Sequence, residues 1–114
     1  MKSREDALAF CLSLPESYCD TPFRDANWTL ARHRANRKAF ALVFERSGHI
    51  WINVKAAPGW RDFWRQSHAS VIAAYHMNKE HWNSLILDGS IPAADIRQMI
   101  EDSYHLTLPK TKTR

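Results

Sequence analysis

The stretch WTLARHRANRKAFALVFERSGHIWINVK, residues 28–55, contains three apolar-rich runs separated by two polar turns. Residues 28–33, 38–44 and 49–55 each alternate between two sets of side chains, which is the two-residue period of a β-strand. Ser47-Gly48 is a tight-turn sequence, so the second and third runs are predicted to form a hairpin. The whole stretch predicts an antiparallel meander with one covered face and one wetter face.

Alternation also assigns the side chains of the meander to faces. The bulky set of the second run is Phe40, Leu42 and Phe44. The third run divides into a core-facing set, Ile50, Ile52 and Val54, and an outward set, Trp51, Asn53 and Lys55. An outward tryptophan beside an outward lysine makes the wetter face a candidate for binding.

The segment before the meander predicts a helix followed by a loop. Ser3 begins a capping-box sequence, the residues after it place apolar side chains at helical spacing, and Pro15 ends the pattern. Residues 15–27 show no strand period and are predicted to form a loop, with Tyr18 and Phe23 folded back onto the core.

The segment after the meander predicts two helices and two short strands. Trp60, Phe63 and Trp64 recur at helical spacing and predict a helix docked on the sheet. Residues 71–74 and 84–87 have the composition of short strands. Residues 90–92 open a last helix whose buried stripe is Ile96, Met99, Ile100 and Tyr104, extended by Leu106 and Leu108.

The order helix, meander, helix, short strands, helix predicts an α+β fold: a two-layer sandwich, an antiparallel sheet with helices packed on one side. A chain of 114 residues has the size of one domain. We expect residues 1–109 to form that domain and residues 110–114 to be a basic, disordered tail.

Charge is unevenly distributed along the chain, whose formal net charge is +4. Residues 24–79 carry ten of the Lys and Arg side chains and three acidic ones, whereas both flanks are acidic. A segregated basic segment is typical of a surface that binds a polyanion, although it is also typical of an ordinary solvated face.

The compartment is expected to be the cytoplasm. No apolar run approaches the ~20 residues of a membrane span, and the N-terminal residues lack the apolar centre of a signal peptide. Cys11, on the apolar side of the first helix, and Cys19, in the loop after it, are expected to be free thiols.

A polar cluster, Tyr75-His76-Met77-Asn78-Lys79-Glu80-His81-Trp82-Asn83, lies between the two short strands. Asn78 is a natural N-cap, so its side-chain oxygen is predicted to accept a backbone N–H one or two residues later. His76 and His81 are five residues apart, a poor match to the His-x-x-x-His spacing of metal ligands. No nucleophile–base pair is visible. We therefore expect no catalytic residue, no metal site and no cofactor, with His81 and Trp82 fixing the loop.

This cluster, followed by Leu87-Asp88-Gly89-Ser90-x-Pro92, resembles the signature of the MmcQ/YjbR family of small bacterial proteins. Residues 11–15 and 21–23 resemble the family's N-terminal helix end and loop, and Asp102-Ser103-Tyr104 its last-helix signature. The resemblance implies a two-layer α+β fold. It also implies DNA binding, because the family's sheet is described as similar to the "double wing" of a phage activator's DNA-binding domain, which is an argument by structural analogy.

The main functional hypothesis is a DNA-binding protein without enzymatic activity, which uses the outer sheet face and the hairpin tips. Cationic side chains would contact phosphates, and Trp51 and His76 would stack on a base or sugar or enter a groove. An equal alternative for Trp51 is packing beneath a loop. The candidate phosphate contacts are Arg32, Arg34, Arg37, Lys38, Lys55 and Lys79. The alternative function is a protein- or peptide-interaction module that accepts a partner strand at a free sheet edge. The sequence specifies neither a target DNA nor an oligomeric state.

Overall fold

The computed structural model describes residues 1–110, which contain three helices and six strands. The helices are α1 (Arg4–Ser13), α2 (Pro58–Ser67) and α3 (Ala93–Thr107). The strands are β1 (Ser17–Asp20), β2 (Thr29–His33), β3 (Ala39–Arg46), β4 (His49–Lys55), β5 (Val71–Ala73) and β6 (Trp82–Ile86). All strands pair antiparallel in one sheet, in the order β1-β2-β3-β4-β6-β5. The predicted α+β architecture is confirmed. Of the predicted basic tail, residues 111–114 lie outside the described residues.

The inner face of the sheet carries the core and the helices. Thr29, Val43, Ile52, Leu85 and Val71 lie opposite one another across five strands and share this face. Helices α1 and α3 pack against β3 and its neighbours, and α2 packs against β5 and β6. The buried core side chains that the helices contribute are Ala7, Cys11, Trp64, Ile96, Met99, Ile100 and Tyr104. Among residues 1–110, no helix combines the length and the apolar character needed to cross a bilayer.

A β-bulge in β3 changes one predicted face. Ala31 lies opposite Ala41, but Arg32 lies opposite Ala39, so Phe40 is the extra residue. Its ring turns to the inner face, where its centroid lies 5.2 Å from that of Tyr104 on α3. The prediction that Phe40 shares a face with the other bulky residues of its strand is wrong, because simple alternation does not hold through a bulge.

Ser103 of α3 fills the gap that opens in the ladder beside this bulge. Regular pairing of β3 with β4 begins only at Ala41 and Val54. One position further along, the fully buried Ser103 hydroxyl donates to the Phe40 carbonyl at 2.6 Å and accepts the N–H of Lys55 at 2.8 Å. One side chain therefore satisfies two backbone groups that the bulge leaves unpaired, and it fixes α3 to the sheet.

The outer face of the sheet is covered by two loops rather than by water. Leu30, Leu42, Phe44 and Trp51 alternate with the inner-face set, yet each is at most 7% exposed. The cover consists of residues 21–28 and 74–81, whose rings pack on Phe44. The prediction of a wetter outer face is therefore wrong.

Polar groups anchor the second loop of this cover. Asn53 and Ser84, opposite each other on β4 and β6, are fully buried and hydrogen-bonded to each other. Asn53 donates its amide to the Tyr75 carbonyl at 2.8 Å, and the Tyr75 N–H donates to Ser84 Oγ at 2.9 Å. The Tyr75 ring then lies 5.8 Å from Phe44. The backbone N–H and C=O of Tyr75 therefore both hold the loop on the outer face.

The N-terminal loop prediction is wrong in part. Residues 17–20 form β1, an edge strand paired with β2, and Cys19 lies in that strand. Tyr18 is half-buried, but Phe23 is 52% exposed and does not fold back onto the core. The capping prediction is confirmed, because Ser3 Oγ accepts the N–H of Asp6 at 3.0 Å. Leu106 and Leu108, predicted to extend the buried stripe of α3, are largely exposed.

Candidate nucleic-acid interface

Antiparallel pairing brings several basic segments to one end of the sheet, which we call the basic end. The β2–β3 connection, residues 34–38, lies at this end together with the end of β4 and the start of β6, since Lys55 lies opposite Trp82. The Ala56 N–H donates to the His81 carbonyl at 2.9 Å, which joins the residue after β4 to the residue before β6 at this end. The basic end therefore collects five of the predicted site residues: Arg34, Arg37, Lys38, Lys55 and Lys79.

The β2–β3 connection is held by hydrogen bonds within the turn and to the end of α3. Arg37 adopts a left-handed backbone conformation with φ of 62°, and its N–H donates to the His33 carbonyl at 2.8 Å. Asn36 accepts the N–H of Lys38 at 3.0 Å and donates its amide to the Thr107 carbonyl at 3.0 Å, at the end of α3. A turn fixed on both sides orders the backbone that carries Arg37 and Lys38 before any partner arrives.

Arg32 supports this turn and is not displayed by it. Its Nε donates to Asp20 at 2.9 Å, and its Nη1 donates to the Arg37 carbonyl at 2.8 Å. The charge of Arg32 is neutralised by a carboxylate, and its side chain is only 21% exposed. In the structure Arg32 holds the turn in place, and its contact with phosphate stays a prediction.

Among residues 1–110, the remaining cations at the basic end have no carboxylate partner within 4.0 Å, and all of them except Lys55 are exposed. Arg34 lies over the ring of Tyr18 at 5.6 Å, a cation–π contact that orients the guanidinium without neutralising it. Arg37, Lys38 and Lys79 are exposed, and Lys55 is half-buried. Within residues 1–110, the ion pairs closer than 4.0 Å are Arg32–Asp20, Arg61–Asp62 and His68–Asp95. The basic end thus presents uncompensated positive charge.

The polar cluster of residues 75–83 has a largely structural role. Asn78 accepts the Glu80 N–H at 2.8 Å, as predicted, but the residues after it form a turn and not a helix. Asn83 is buried, accepts from Arg65 Nε at 2.7 Å and donates to the Arg61 carbonyl at 3.2 Å. Arg65 also donates to the Lys79 carbonyl at 2.5 Å. These bonds join α2 to β6 and to the loop that carries Lys79. Apart from their spacing of four, nothing in the sequence marks Arg61 and Arg65 for this role.

Trp51 and His76 lie away from the basic end. Trp51 is 5% exposed, and its indole N–H donates to the Arg46 carbonyl at 3.1 Å. The stacking prediction for Trp51 is wrong, because the ring packs beneath the loop cover. His76 is exposed on that cover with φ of 59°, and its ring lies 4.1 Å from Tyr75. Sequence reasoning missed Arg46, whose guanidinium lies 4.3 Å from the Tyr75 ring centroid.

Asp88 and Gly89 form a tight turn after β6. Asp88 accepts a hydrogen bond from Ser70 Oγ at 2.5 Å, and from the hydroxyl and N–H of Ser90 at 2.6 and 2.9 Å. These bonds, that from Ser70 first, hold the pKa of Asp88 well below its usual range. Gly89 has φ of 92°, a backbone conformation that favours glycine. The turn is therefore a structural feature of the motif.

Both cysteines are free, as predicted. Burial raises the pKa of the Cys11 thiol to about 12, so it stays protonated and unreactive at neutral pH. In the described part of the chain, no three side chains of His, Cys, Asp or Glu group in a way that could hold a metal ion.

The model of the YjbR family matches residues 12–106. The chain belongs to the YjbR family. It is 27% identical to the Escherichia coli (strain K12) YjbR protein over 112 residues, which cover 96% of this chain and 92% of that relative. It is 31% identical to YyaQ of Bacillus subtilis (strain 168) over 118 residues, covering 94% and 99% of the two chains. Neither name states an activity.

Solved structures of similar proteins share the fold of this YjbR-family chain. A crystal structure of a Deinococcus radiodurans protein superposes with a TM-score of 0.87 at 28% identity, covering 100% of this chain and 84% of that one. A crystal structure of a Pseudomonas syringae protein gives a TM-score of 0.82 at 27% identity, covering 93% and 99%. The likeness in fold therefore extends over nearly the whole chain.

Proposed function

We propose that this YjbR-family protein binds nucleic acid through the basic end of its sheet, with duplex DNA in the cytoplasm as the partner and without catalysing a reaction. The observation that carries the proposal is the hydrogen-bonded β2–β3 turn, which displays Arg34, Arg37 and Lys38 with no carboxylate of residues 1–110 within 4.0 Å of their charged groups. Lys55 and Lys79 extend the same surface.

The physical basis of the proposal is release of counterions. A cation that approaches a phosphate displaces condensed counterions, so affinity decreases steeply as salt increases. A turn that is already ordered loses little conformational entropy on binding. Contacts of this kind position the protein on the backbone but do not read base sequence, and the buried Trp51 supplies no base stacking.

The test compares two variants that each lose two positive charges. Arg37→Gln with Lys38→Gln removes cations from the basic end, whereas Arg24→Gln with Arg97→Gln removes exposed cations elsewhere. Binding to a fluorescent duplex is measured by anisotropy from ~50 to ~200 mM salt, a range in which several phosphate contacts change affinity strongly. For the wild-type protein, we expect a slope of log K against log salt of about −4, from four to five contacts.

The first variant should reduce the steepness of that slope by about 2, and the second by much less than 1. Equal effects of the two variants would mean that net charge, and not the basic end, drives binding. No binding at ~50 mM salt would remove the proposal, since several phosphate contacts must be measurable there.

The peptide-module alternative has weaker support from the geometry. The two edge strands of the sheet are β1, with four residues, and β5, with three. Short edges offer few backbone groups to an added strand. A protein partner that is recovered from a lysate after nuclease treatment, and that is lost on a proline substitution in β5, would favour this alternative.

A further inference from the structure

A cleft of about 290 Å³ lies between α2 and α3, above the end of β4. Its aromatic wall is formed by Trp60 and Trp64, whose ring centroids are 6.1 Å apart. Met99 and Leu106 of α3 form the opposite wall with Asp102. The volume is near the lower limit of small-molecule sites, so the cleft fits a ligand smaller than a typical drug.

Trp60 is an unusual residue for such a wall because it is 55% exposed. A large aromatic side chain on the surface loses favourable burial unless a partner covers it. Phe63, on the same helix, is 49% exposed but does not line the cleft. The two side chains therefore form a matched pair, one inside the candidate site and one outside it.

Asp102 supplies the charge inside the cleft. Met99, Asp102 and Leu106 recur at spacings of three and four, so they share the face of α3 that is turned to α2. The Asp102 carboxylate accepts a hydrogen bond from Gln98 at 2.8 Å, and in residues 1–110 no Lys, Arg or His nitrogen lies within 4.0 Å of it. A carboxylate without a cation partner, set among tryptophans, is chemically complementary to an organic cation.

The other polar residues of the lining do not form an ion pair with Asp102. Lys55, the last residue of β4, also lines the cleft, but its ammonium nitrogen is not within 4.0 Å of the Asp102 carboxylate. Asn83 already uses its side chain to join β6 to α2. His105 completes the polar part of the lining from the last turns of α3.

We propose that the cleft binds a small organic cation, an amine on an apolar or aromatic body. Asp102 pairs with the ammonium group, the indole rings of Trp60 and Trp64 cover the cation and the apolar body, and Met99 and Leu106 complete the enclosure. The cleft adjoins the basic end, since Lys55 belongs to both, but the proposed ligand and its test do not depend on nucleic-acid binding.

The test uses three ligands with the same phenyl body: phenethylamine, 3-phenylpropionate and 2-phenylethanol. Each is titrated into the ¹⁵N-labelled full-length protein at pH 7.5, and the indole N–H signals of the five tryptophans are followed by NMR. The Trp60 and Trp64 signals are assigned with Trp60→Phe and Trp64→Phe. We expect phenethylamine to shift both signals and to bind about three- to tenfold more tightly than the alcohol, as expected for an ion pair with a cation–π contact.

Variants locate the effect. Asp102→Asn should abolish the preference for the amine, whereas Asp62→Asn, which changes an exposed carboxylate of α2 outside the cleft, should retain it. Trp60→Ala should weaken amine binding, and Phe63→Ala should not. Three outcomes would each overturn the proposal: equal binding of the alcohol and the amine, tighter binding of 3-phenylpropionate than of the amine, or no shift of either indole signal. The last is measured at about 10 mM ligand, because small ligands of this size can bind with a Kd in that range.

Discussion

Replacing Ser103 with alanine tests how the last helix is attached to the sheet. The change removes one fully buried hydroxyl and leaves the Phe40 carbonyl and the Lys55 N–H without a partner. Each buried, unpaired backbone group costs about 1–3 kcal/mol, and alanine recovers roughly 0.5 kcal/mol because it favours the helix more than serine does. We expect Ser103→Ala to reduce the free energy of unfolding by about 3 kcal/mol, which corresponds to a decrease of about 10 °C in Tm for a domain of this size.

Ser67→Ala is the matched control. Ser67, the last residue of α2, also donates its hydroxyl to a backbone carbonyl, that of Phe63 at 2.7 Å, but within its own helix and at an exposed position. Urea denaturation with a shared m-value gives both free energies, and hydrogen exchange at the Lys55 amide reports the broken contact directly. If Ser103→Ala and Ser67→Ala agree within about 0.5 kcal/mol, the bridge does not stabilise the fold and the reasoning is refuted.

Three further predictions concern single residues of the fold. Burial lowers the pKa of His33, so the unfolded chain binds the proton more readily than the folded protein. Wild-type stability should therefore decrease as the pH falls below about 6.5. His33→Gln should lose this pH dependence in thermal melts, and an unchanged pH profile of the variant would contradict the prediction. The hydrogen bonds to Asp88 lower its pKa, so their contribution to stability is present above pH ~4 and decreases below it. Asp88→Asn should reduce the free energy of unfolding by about 1 kcal/mol at pH 7, which lowers Tm by a few degrees, and it should have a smaller effect at pH 3. Gly89→Ala and Gly48→Ala both place alanine at a positive φ and should each cost about 1–2 kcal/mol. At Gly89 the added methyl group meets only the flexible end of Lys2, so a much larger cost there would show that Lys2 is fixed.

The elements that could be predicted are those whose own residues carry the pattern. The hairpin of β3 and β4 follows from alternation, and the stripe of α3 follows from the spacing of Ile96, Met99 and Ile100. The cap at Ser3 follows from local hydrogen bonding. In each of these cases the determining contacts lie within a few residues in the sequence.

The elements that could not be predicted depend on partners far along the chain. β1 has four residues and exists because it pairs with β2, which no local period reveals. The bulge at Phe40 is stabilised by Ser103, 63 residues away. The sequence of β3 and β4 predicts a solvent-exposed outer face because the rings that cover it, those of Trp28 and Tyr75, come from segments outside these two strands.

The candidate sites divide in the same way. The basic segment could be recognised from its charge, but its location at one end of the sheet required the pairing of β4 with β6. Arg32 and Lys38 have the same charge in the sequence, and only Asp20 on another strand distinguishes them. The cleft between Trp60 and Asp102 depends on the relative positions of α2 and α3. The aromatic stripe of α2 alone predicts buried core residues.

The buried amide–hydroxyl contact between Asn53 and Ser84 should couple the substitutions that evolution accepts at these two positions. The Asn53 side chain accepts the Ser84 hydroxyl through its carbonyl oxygen and donates its amide N–H to the Tyr75 carbonyl. A hydrophobic residue at either position would leave the other polar group buried without its partner. Tolerated changes should therefore occur in pairs, and an alignment of YjbR sequences should show positions 53 and 84 co-varying. Independent drift at those two columns would mean that the loop above them can be retained by shape alone.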